Sequence, residues 1–398
     1  MLRNLGYLHS ALPNATLMLL GAVLAACTQP APEEASTTPE QTSTMPAAST
    51  ATVFEGARVI VGNGDVIENA IFVVDNGEFG VIGPAASVSV PAGAARVDLS
   101  GRTVMPAILD AHVHMSLNLD GLLTDLRQRA VMGVAGALSM GRDADDALLD
   151  LRGNEPAGSA RFFTAGRGIS RPEPGRPDEP HWISTPEEGR AAVREEAARG
   201  VDVIKVWVDD RNGQYEKLTP ELYGAIIDEA HIQGLRVAAH IFTLEDAKGL
   251  ARAGIDIFAH GVRDRDIDDE FVELVRGRPE LIMVPNLPER GVPTDLGWLD
   301  GLMPADQLAA LRAENTTDPD LQEFYGIQAR NLARLDQAGL RIAMGTDGNV
   351  YWGAHIEMED MVAAGMSPAD VIVAATANSA TVMGITDAGT IESGKRAD

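Results

Sequence analysis

The chain has 398 residues, 45% hydrophobic and 23% charged, which is enough apolar material for a buried core and excludes global disorder. Lysine and arginine total 32 against 58 acids, a net charge of -26 with no dense basic run to offset it, so nucleic-acid binding is excluded as a leading function. One cysteine excludes a disulfide framework within the chain; the length suits a barrel of roughly 250 residues with a smaller unit beside it.

In chain order, residues 1–27 read as an export segment. Arg3 precedes the apolar run Ala15–Ala26, which is short of the roughly 20 apolar residues that span a bilayer and has the length of a signal-peptide core. It ends in Leu24-Ala25-Ala26-Cys27, which resembles the lipobox of bacterial lipoproteins. That resemblance implies a diacylated Cys27 as the new N-terminus and attachment to a membrane through its lipid. Thr28 stands where an aspartate would resemble an inner-membrane retention signal, so the expected location is the outer membrane facing the periplasm, or the cell surface. Residues 28–51 are rich in Thr, Pro, Ala, Ser, Glu and Gln, contain no aromatic residue, and read as a disordered tether.

From Val53 to Leu99 short β-runs alternate with hairpin signals: Ala57–Val61 before Gly62-Asn63-Gly64-Asp65, and Ala70–Val74 before Asp75-Asn76-Gly77. Asn-Gly pairs supply the positive φ angles of tight hairpins, so a small antiparallel unit is expected over 52–103. The rhythm then changes. Strand-like runs recur at Val104–His112, Gly133–Gly141, Arg161–Ile169, Val201–Val208, Leu235–Phe242, Ile255–Gly261, Leu281–Leu287 and Arg341–Gly348. Between them lie segments of helical period such as Pro186–Arg199, Pro220–Gln233, Leu244–Ala253 and Gln328–Ala338. Eight such alternations predict parallel βα units closing into a (β/α)8 TIM barrel. A doubly wound sheet is the weaker alternative, because no Gly-x-Gly-x-x-Gly turn follows the first strand. The longest interruption, Pro288 to Gln328, is a candidate active-site lid.

Four of the eight histidines sit at the ends of these runs: His112 and His114 at the first, His240 at the fifth, His260 at the sixth. Lys205 lies inside the fourth and Asp347 ends the eighth. Barrel strands converge at their C-terminal ends, where active sites are built. Period-two geometry puts His112 and His114 on one side of their strand, and imidazoles so placed suit zinc or a similar divalent ion. A lysine among Val203-Ile204-Lys205-Val206-Trp207 is costly to bury unpaired. Weaker candidates are His355 for touching substrate and, in the loop 171–182 that also holds His181, Arg171 or Arg176 for binding a substrate carboxylate. His231 reads as structural, and His9 belongs to the export segment.

The stretch Val104–His114 resembles the opening strand of the amidohydrolase superfamily. Val237–His240, Ala253–Gly261 and Met344–Asp347 resemble its later metal-binding strands, and Gly389–Asp398 its C-terminal return into a small β-domain. The similarity runs over about residues 53–398 and is nearest the imidazolonepropionase-like and prolidase-like branch, with Lys205 favouring the binuclear, Xaa-Pro dipeptidase-type members. It implies an α/β fold: a TIM barrel over 104–384 and a small β-sandwich domain built from 52–103 and from 385–398, which looks truncated at Asp398. It also implies two divalent ions, zinc foremost, and carboxylation of Lys205 to a carbamate bridging them. His112, His114 and Asp347 would surround one ion, His240 and His260 the other. A hydroxide bridging the ions would attack, and Asp347 would carry the proton to the leaving amine. The implied activity is metal-dependent hydrolysis of an amide-type carbon–nitrogen bond in a small molecule, a dipeptide or an N-acyl amino acid. The second strand departs from the family: Gly133–Gly141 lacks the Thr-Thr-Val-Arg-Asp type of sequence. A lactonase, phosphotriesterase or deaminase on the same scaffold stays open, as does a non-catalytic surface-binding lipoprotein; a homo-oligomer is compatible with either.

Overall fold

The computed structural model describes residues 50–176 and 180–398. The export segment with His9 and Cys27, and the tether up to Ser49, lie outside the described residues. The first unit is built on β1 (Thr52–Ile60), β2 (Val66–Asp75) and β3 (Glu78–Pro84), each antiparallel to the next. Asn76 (φ 52°) and Gly77 (φ 80°) form the β2–β3 turn that an Asn-Gly pair favours. β4 (Ala95–Asp98) and β5 (Thr103–Val104) then pair parallel to β1. The antiparallel expectation is therefore corrected to a mixed five-stranded sheet, and among the described residues this unit is a single sheet without a second one packed as a sandwich. The physical reason is the route of the chain: it leaves the β3 edge, passes β2 and re-enters beside β1 in the same direction. Residues near the C-terminal end extend the open β3 edge. Gly394 N–H donates to Phe79 O, Phe79 N–H donates to Lys395 O, both at 2.7 Å, and Ala397 N–H donates to Gly77 O at 2.8 Å. Ile391 packs with Ala57, Val59, Phe72 and Phe79 beneath that sheet.

The second unit runs β6 (Ile108–Val113), α1 (Leu119–Val131), β7 (Val134–Ser139), α2 (Asp146–Leu149), β8 (Arg161–Thr164), β9 (Ile169–Ser170), β10 (His181–Trp182), α3 (Pro186–Arg199), β11 (Ile204–Trp207), α4 (Pro220–Ile232) and β12 (Val237–His240). It continues through α5 (Leu244–Ala253), β13 (Ile257–Ala259), α6 (Asp269–Arg276), β14 (Ile282–Val284), α7 (Ala305–Glu314), α8 (Pro319–Gln337), β15 (Arg341–Ile342), α9 (Gly353–Ala363), α10 (Pro368–Val373) and α11 (Ser379–Met383). Helix ends fall where the local chemistry puts them. Thr185 and Glu188 form a capping box at the start of α3, worth about 1 kcal/mol, and Gly200 (φ 74°) ends it.

Each expected apolar run contains a parallel strand, most of them shorter than the run, and Arg161–Ile169 also reaches the start of β9. The strands form a barrel-like arrangement in two sheets, β6-β7-β8 and β10-β9-β11-β12-β13-β14-β15, and not one closed ladder. Single backbone bonds join the sheets. Asp202 N–H donates to Thr164 O at 2.9 Å on one side; Ala111 N–H to Met344 O and Thr346 N–H to His112 O, both at 3.0 Å, do so on the other. Regular pairing stops after Ile342: Ala343 N–H still donates to Met283 O at 2.8 Å, but Pro285 has no N–H to continue the ladder, and Met344 N–H, facing the other side, donates to Ala374 O at 3.2 Å. That carbonyl belongs to a π-turn, Ala374–Asn378, inserted between α10 and α11.

The layers sort by alternation. Val206, Ile226, Leu250, Phe271 and Leu335 pack between strands and helices. Leu138, Val203, Ala238, Ile257 and Ile282 form an inner cluster joined by Val382 and Met383 of α11. Since side chains alternate along a strand, an inward Val203 brings Lys205 inward, and an inward Ala238 does the same for His240. No described helix is long and apolar enough to cross a membrane.

Candidate active site

The inward strand ends bring the histidines, the lysine and the aspartate to one place. Asp347 Oδ1 lies 3.2 Å from His112 Nε2 and 3.1 Å from His114 Nε2, and its Oδ2 lies 3.7 Å from His260 Nε2. Lys205 Nζ sits 3.4 Å from His112 Nε2. Ligand atoms of His112, His260 and Asp347 all fall within 4.8 Å of one another. His240 stands beside this group, its ring 4.5 Å from that of His260, and its Nε2 meets Asp209 Oδ2 at 3.2 Å. His112 and Lys205 are fully buried, while His114 and Asp347 are partly open.

The backbone explains how these groups converge. Buried Asp110 accepts from Thr346 N–H at 3.1 Å and from Thr346 Oγ1 at 2.8 Å, which ties β6 to the turn carrying Asp347. Gly345 allows that turn to approach: a Cβ there would stand 2.8 Å from His112 N and 2.6 Å from Val284 Cγ1. Arg129, buried on α1, donates to Asn349 Oδ1 at 3.2 Å and to Gly348 O at 3.3 Å. Simple alternation would align His260 with Phe258, on the helix side; a φ of 116° at His260 turns it into the site. Asn286 (φ 48°) and Asp347 (φ 54°) also take left-handed backbone at strand ends, strain of a kind that clusters at functional sites. Just past β7, in the run where the family pattern was absent, Gly141 leaves room for Trp207 and the Lys205 stem: a Cβ would lie 2.7 Å and 2.9 Å from them.

Electrostatics favour neutral nitrogen donors and an ionised carboxylate. Burial pulls His112 down to about 3 and His240 to about 4, and holds His260 well below its usual range. Burial also lowers Lys205 to about 7, against the opposing pull of Asp347. For Asp347, burial alone would raise the pKa, but the facing imidazoles of His260 and His112 outweigh it and hold the carboxyl well below the usual range. Asp209 behaves alike: the hydrogen bond from His240 and contacts with Arg211 override burial and lower it.

This donor set fits a divalent cation. His112 Nδ1–H donates to Asn286 Oδ1 at 2.9 Å, which leaves the Nε2 lone pair facing Asp347. His240 Nε2–H donates to Asp209, which leaves Nδ1 free to ligate. His114 Nδ1 is buried with no protein hydrogen bond. One contact runs the other way. A guanidinium only donates, so Arg263 Nη2, 2.6 Å from His260 Nδ1, leaves the His260 ring proton on Nε2. Ligation through that Nε2 requires the tautomer to change and the Arg263 contact to yield.

The remaining candidates lie elsewhere. His355 Nε2 donates to Met132 O at 2.9 Å and its ring rests 5.3 Å from Trp298, so it pins α9 to the end of α1. Arg171 is held by Glu216 and Ile183 O, and half-exposed Arg176 pairs with Glu173. His181 pairs with Glu196 at 2.7 Å and His231 with Asp256 at 2.9 Å. Sequence reasoning missed Asp110, Arg129, Asp209, Arg263 and Asn286. Asp110 was within reach, since it shares strand parity with His112 and His114. Beside Asp347, a cavity of about 360 Å³ extends from Thr346 and Gly348 to residues 289–321, the segment expected to form a lid.

Comparison with known proteins adds four findings. The amidohydrolase family model matches residues 103–398. Over 213 residues the chain is 31% identical to an uncharacterized protein of Mycobacterium tuberculosis, covering 50% of this chain and 56% of that one, so it spans just over half the length of that relative. Over 384 residues it is 25% identical to the ochratoxinase of Aspergillus niger, covering 82% and 75%. The crystal structure of a protein assigned as a prolidase from Bifidobacterium longum superimposes with a TM-score of 0.70 at 27% identity, covering 89% of this chain and 88% of that one.

Proposed function

From the premise that the chain belongs to the amidohydrolase family, on its prolidase-like branch, we propose that it is a metal-dependent hydrolase of the amide bond in a dipeptide or N-acyl amino acid. The observation that carries this reading is the meeting of Asp347 with His112, His114 and His260 around buried Lys205. His112, His114, Lys205, His240, His260 and Asp347 would hold two divalent ions, zinc foremost, with Lys205 as a carbamate. An amine lowered to about 7 is partly neutral at physiological pH. It can add to carbon dioxide, forming the N–C bond and releasing one proton. When bound, such ions lower the pKa of water and polarise a carbonyl.

The chain's own residues do the rest. Asp347 is ionised and partly open. It takes a proton from the attacking water and delivers it to the leaving nitrogen. Asn286 and Asp209 hold the rings of His112 and His240 in the orientation and tautomer that ligation needs. Asp110 and Arg129 hold the Asp347 turn.

Elemental analysis of purified protein should return about two ions per chain, as in two-metal hydrolases. Metal-loaded protein should cleave members of a dipeptide and N-acyl amino acid panel in preference to lactones and phosphotriesters, and Lys205→Ala should remove the activity. Absence of metal, or undiminished turnover by Lys205→Ala, overturns the reading. The reading extends to location: a lipid on Cys27 would anchor the enzyme at the outer membrane, supported by the Leu24–Cys27 motif. Cys27→Ser should abolish acyl labelling, and retained labelling removes the anchor.

A further inference from the structure

We infer that the cavity beside Asp347 selects an uncharged, apolar substrate group and rejects an anionic one; this rests on the amidohydrolase reading and names the substrate class of that site. The cavity reaches Thr346 and Gly348, the residues on either side of Asp347, so a group seated in it lies beside the turn that carries that carboxylate. Its volume of about 360 Å³ is at the small end of ligand sites and suits one large side group. Val292, Leu296, Val350, Trp352 and Ile356 supply an apolar wall.

The charges around this wall are one-sided. Glu289, Glu314, Asp318 and Asp360 line the cavity, and among its described lining residues Arg290 is the sole cation. Arg290 is already engaged: its Nη2 lies 2.6 Å from Glu359 Oε1 and its Nε 2.9 Å from Asp360 Oδ1. It also donates to Thr294 Oγ1 at 3.1 Å. A carboxylate entering here would lose water, meet like charges and find the guanidinium spoken for. An apolar group meets none of these penalties and gains contact with Trp352 and Ile356. Residues 289–321, the long interruption between the seventh and eighth strands, supply Val292 and Leu296, and the turn and helix after the eighth strand supply Val350, Trp352 and Ile356, so the selectivity belongs to these two segments and not to the metal-facing strand ends.

The test uses matched amides carrying leucyl, glycyl or glutamyl on either side of the scissile bond, assayed on metal-loaded, full-length protein. On at least one side kcat/KM should favour leucyl over glutamyl by tenfold or more. Trp352→Ala should narrow the leucyl-to-glycyl ratio, and Val350→Lys should narrow the leucyl-to-glutamyl ratio. Binding is read separately, by calorimetric titration of N-acetyl-leucinamide and of N-acetyl-glutamic acid α-amide. Selective binding of the leucyl probe without hydrolysis of any amide would uphold the cavity and sink the proposed reaction. Equal binding of the two probes, equal turnover on both sides, or a leucyl-to-glutamyl ratio untouched by Val350→Lys overturns the cavity inference, whatever the turnover.

Discussion

The two flanks of the site are held by different means. Around His112 and His114 the support is a buried network: Asp110 binds Thr346, Arg129 binds the 348–349 turn, and Asn286 orients His112. Around His240 and His260 the support consists of single partners, Asp209 on one ring and Arg263 on the other. The first flank is part of the fold's interior and is preorganised by it. The second is fixed by groups that a bound ion would have to share or displace. Geometry at the first should therefore be coupled to stability, and geometry at the second to metal affinity.

That contrast can be broken in several ways, the largest first. Asp347 serves both flanks, so Asp347→Asn should lower kcat/KM by about 10³-fold; a loss below about tenfold would mean that the flanks do not share a centre. Arg129→Met removes the cation that lies against buried Asp110 and Asp125. Breaking such a buried pairing costs about 3 kcal/mol, readable as a shifted urea midpoint. An unchanged midpoint would show that the first flank is not held by its network. Asp209→Ala should weaken one metal site about tenfold, so that occupancy in a chelator titration falls from about two towards one while the urea midpoint barely moves. Equal weakening of both sites would erase the distinction between flanks.

The smallest effect is on pH dependence. Burial raises Asp143 above 3.8, with the hydrogen bond from Thr164 pulling part of the way back. The folded state therefore keeps this proton at a pH where the unfolded chain has lost it. The stabilisation is complete below 3.8 and disappears as the pH climbs through the raised folded value. Asp143→Asn should flatten that limb of a stability-against-pH curve. An unchanged limb would assign the slope to other groups.

Much of the frame was legible because burial writes itself in period two. All eight apolar runs contain a strand, and α3 and α5 keep their expected bounds because Thr185, Gly200, Thr243 and Gly254 punctuate them. The convergence of His112, His114, Lys205 and Asp347 was legible for the same reason; His260 was legible only from its place at a strand end, since alternation alone would turn it to the helix side. The eighth strand was not. Arg341–Gly348 reads as apolar and extended, yet only Arg341–Ile342 keeps its ladder, because Pro285 on the neighbouring strand has no N–H and Met344 N–H, facing the other side, is taken by Ala374 O of the π-turn. No local pattern announces a partner 30 residues downstream. The mixed pairing of β4 and β5 was hidden likewise, as direction depends on the path between strands and not on the strands themselves. Asp209, Asn286 and Arg263 look like ordinary loop residues until distance assigns them to a ring nitrogen.

The left-handed backbone at His260, Asn286 and Asp347 has a practical bearing on engineering. Non-glycine residues hold such angles at about 1 kcal/mol each. Glycine at position 286 would relax the turn and cut the amide that steers His112. A breeding scheme that rewards only heat tolerance would find that exchange attractive and would drift, step by step, towards sturdy but idle variants. Thermal hardening of this chain is safer at surface caps and loops than at the three bends where its strands end.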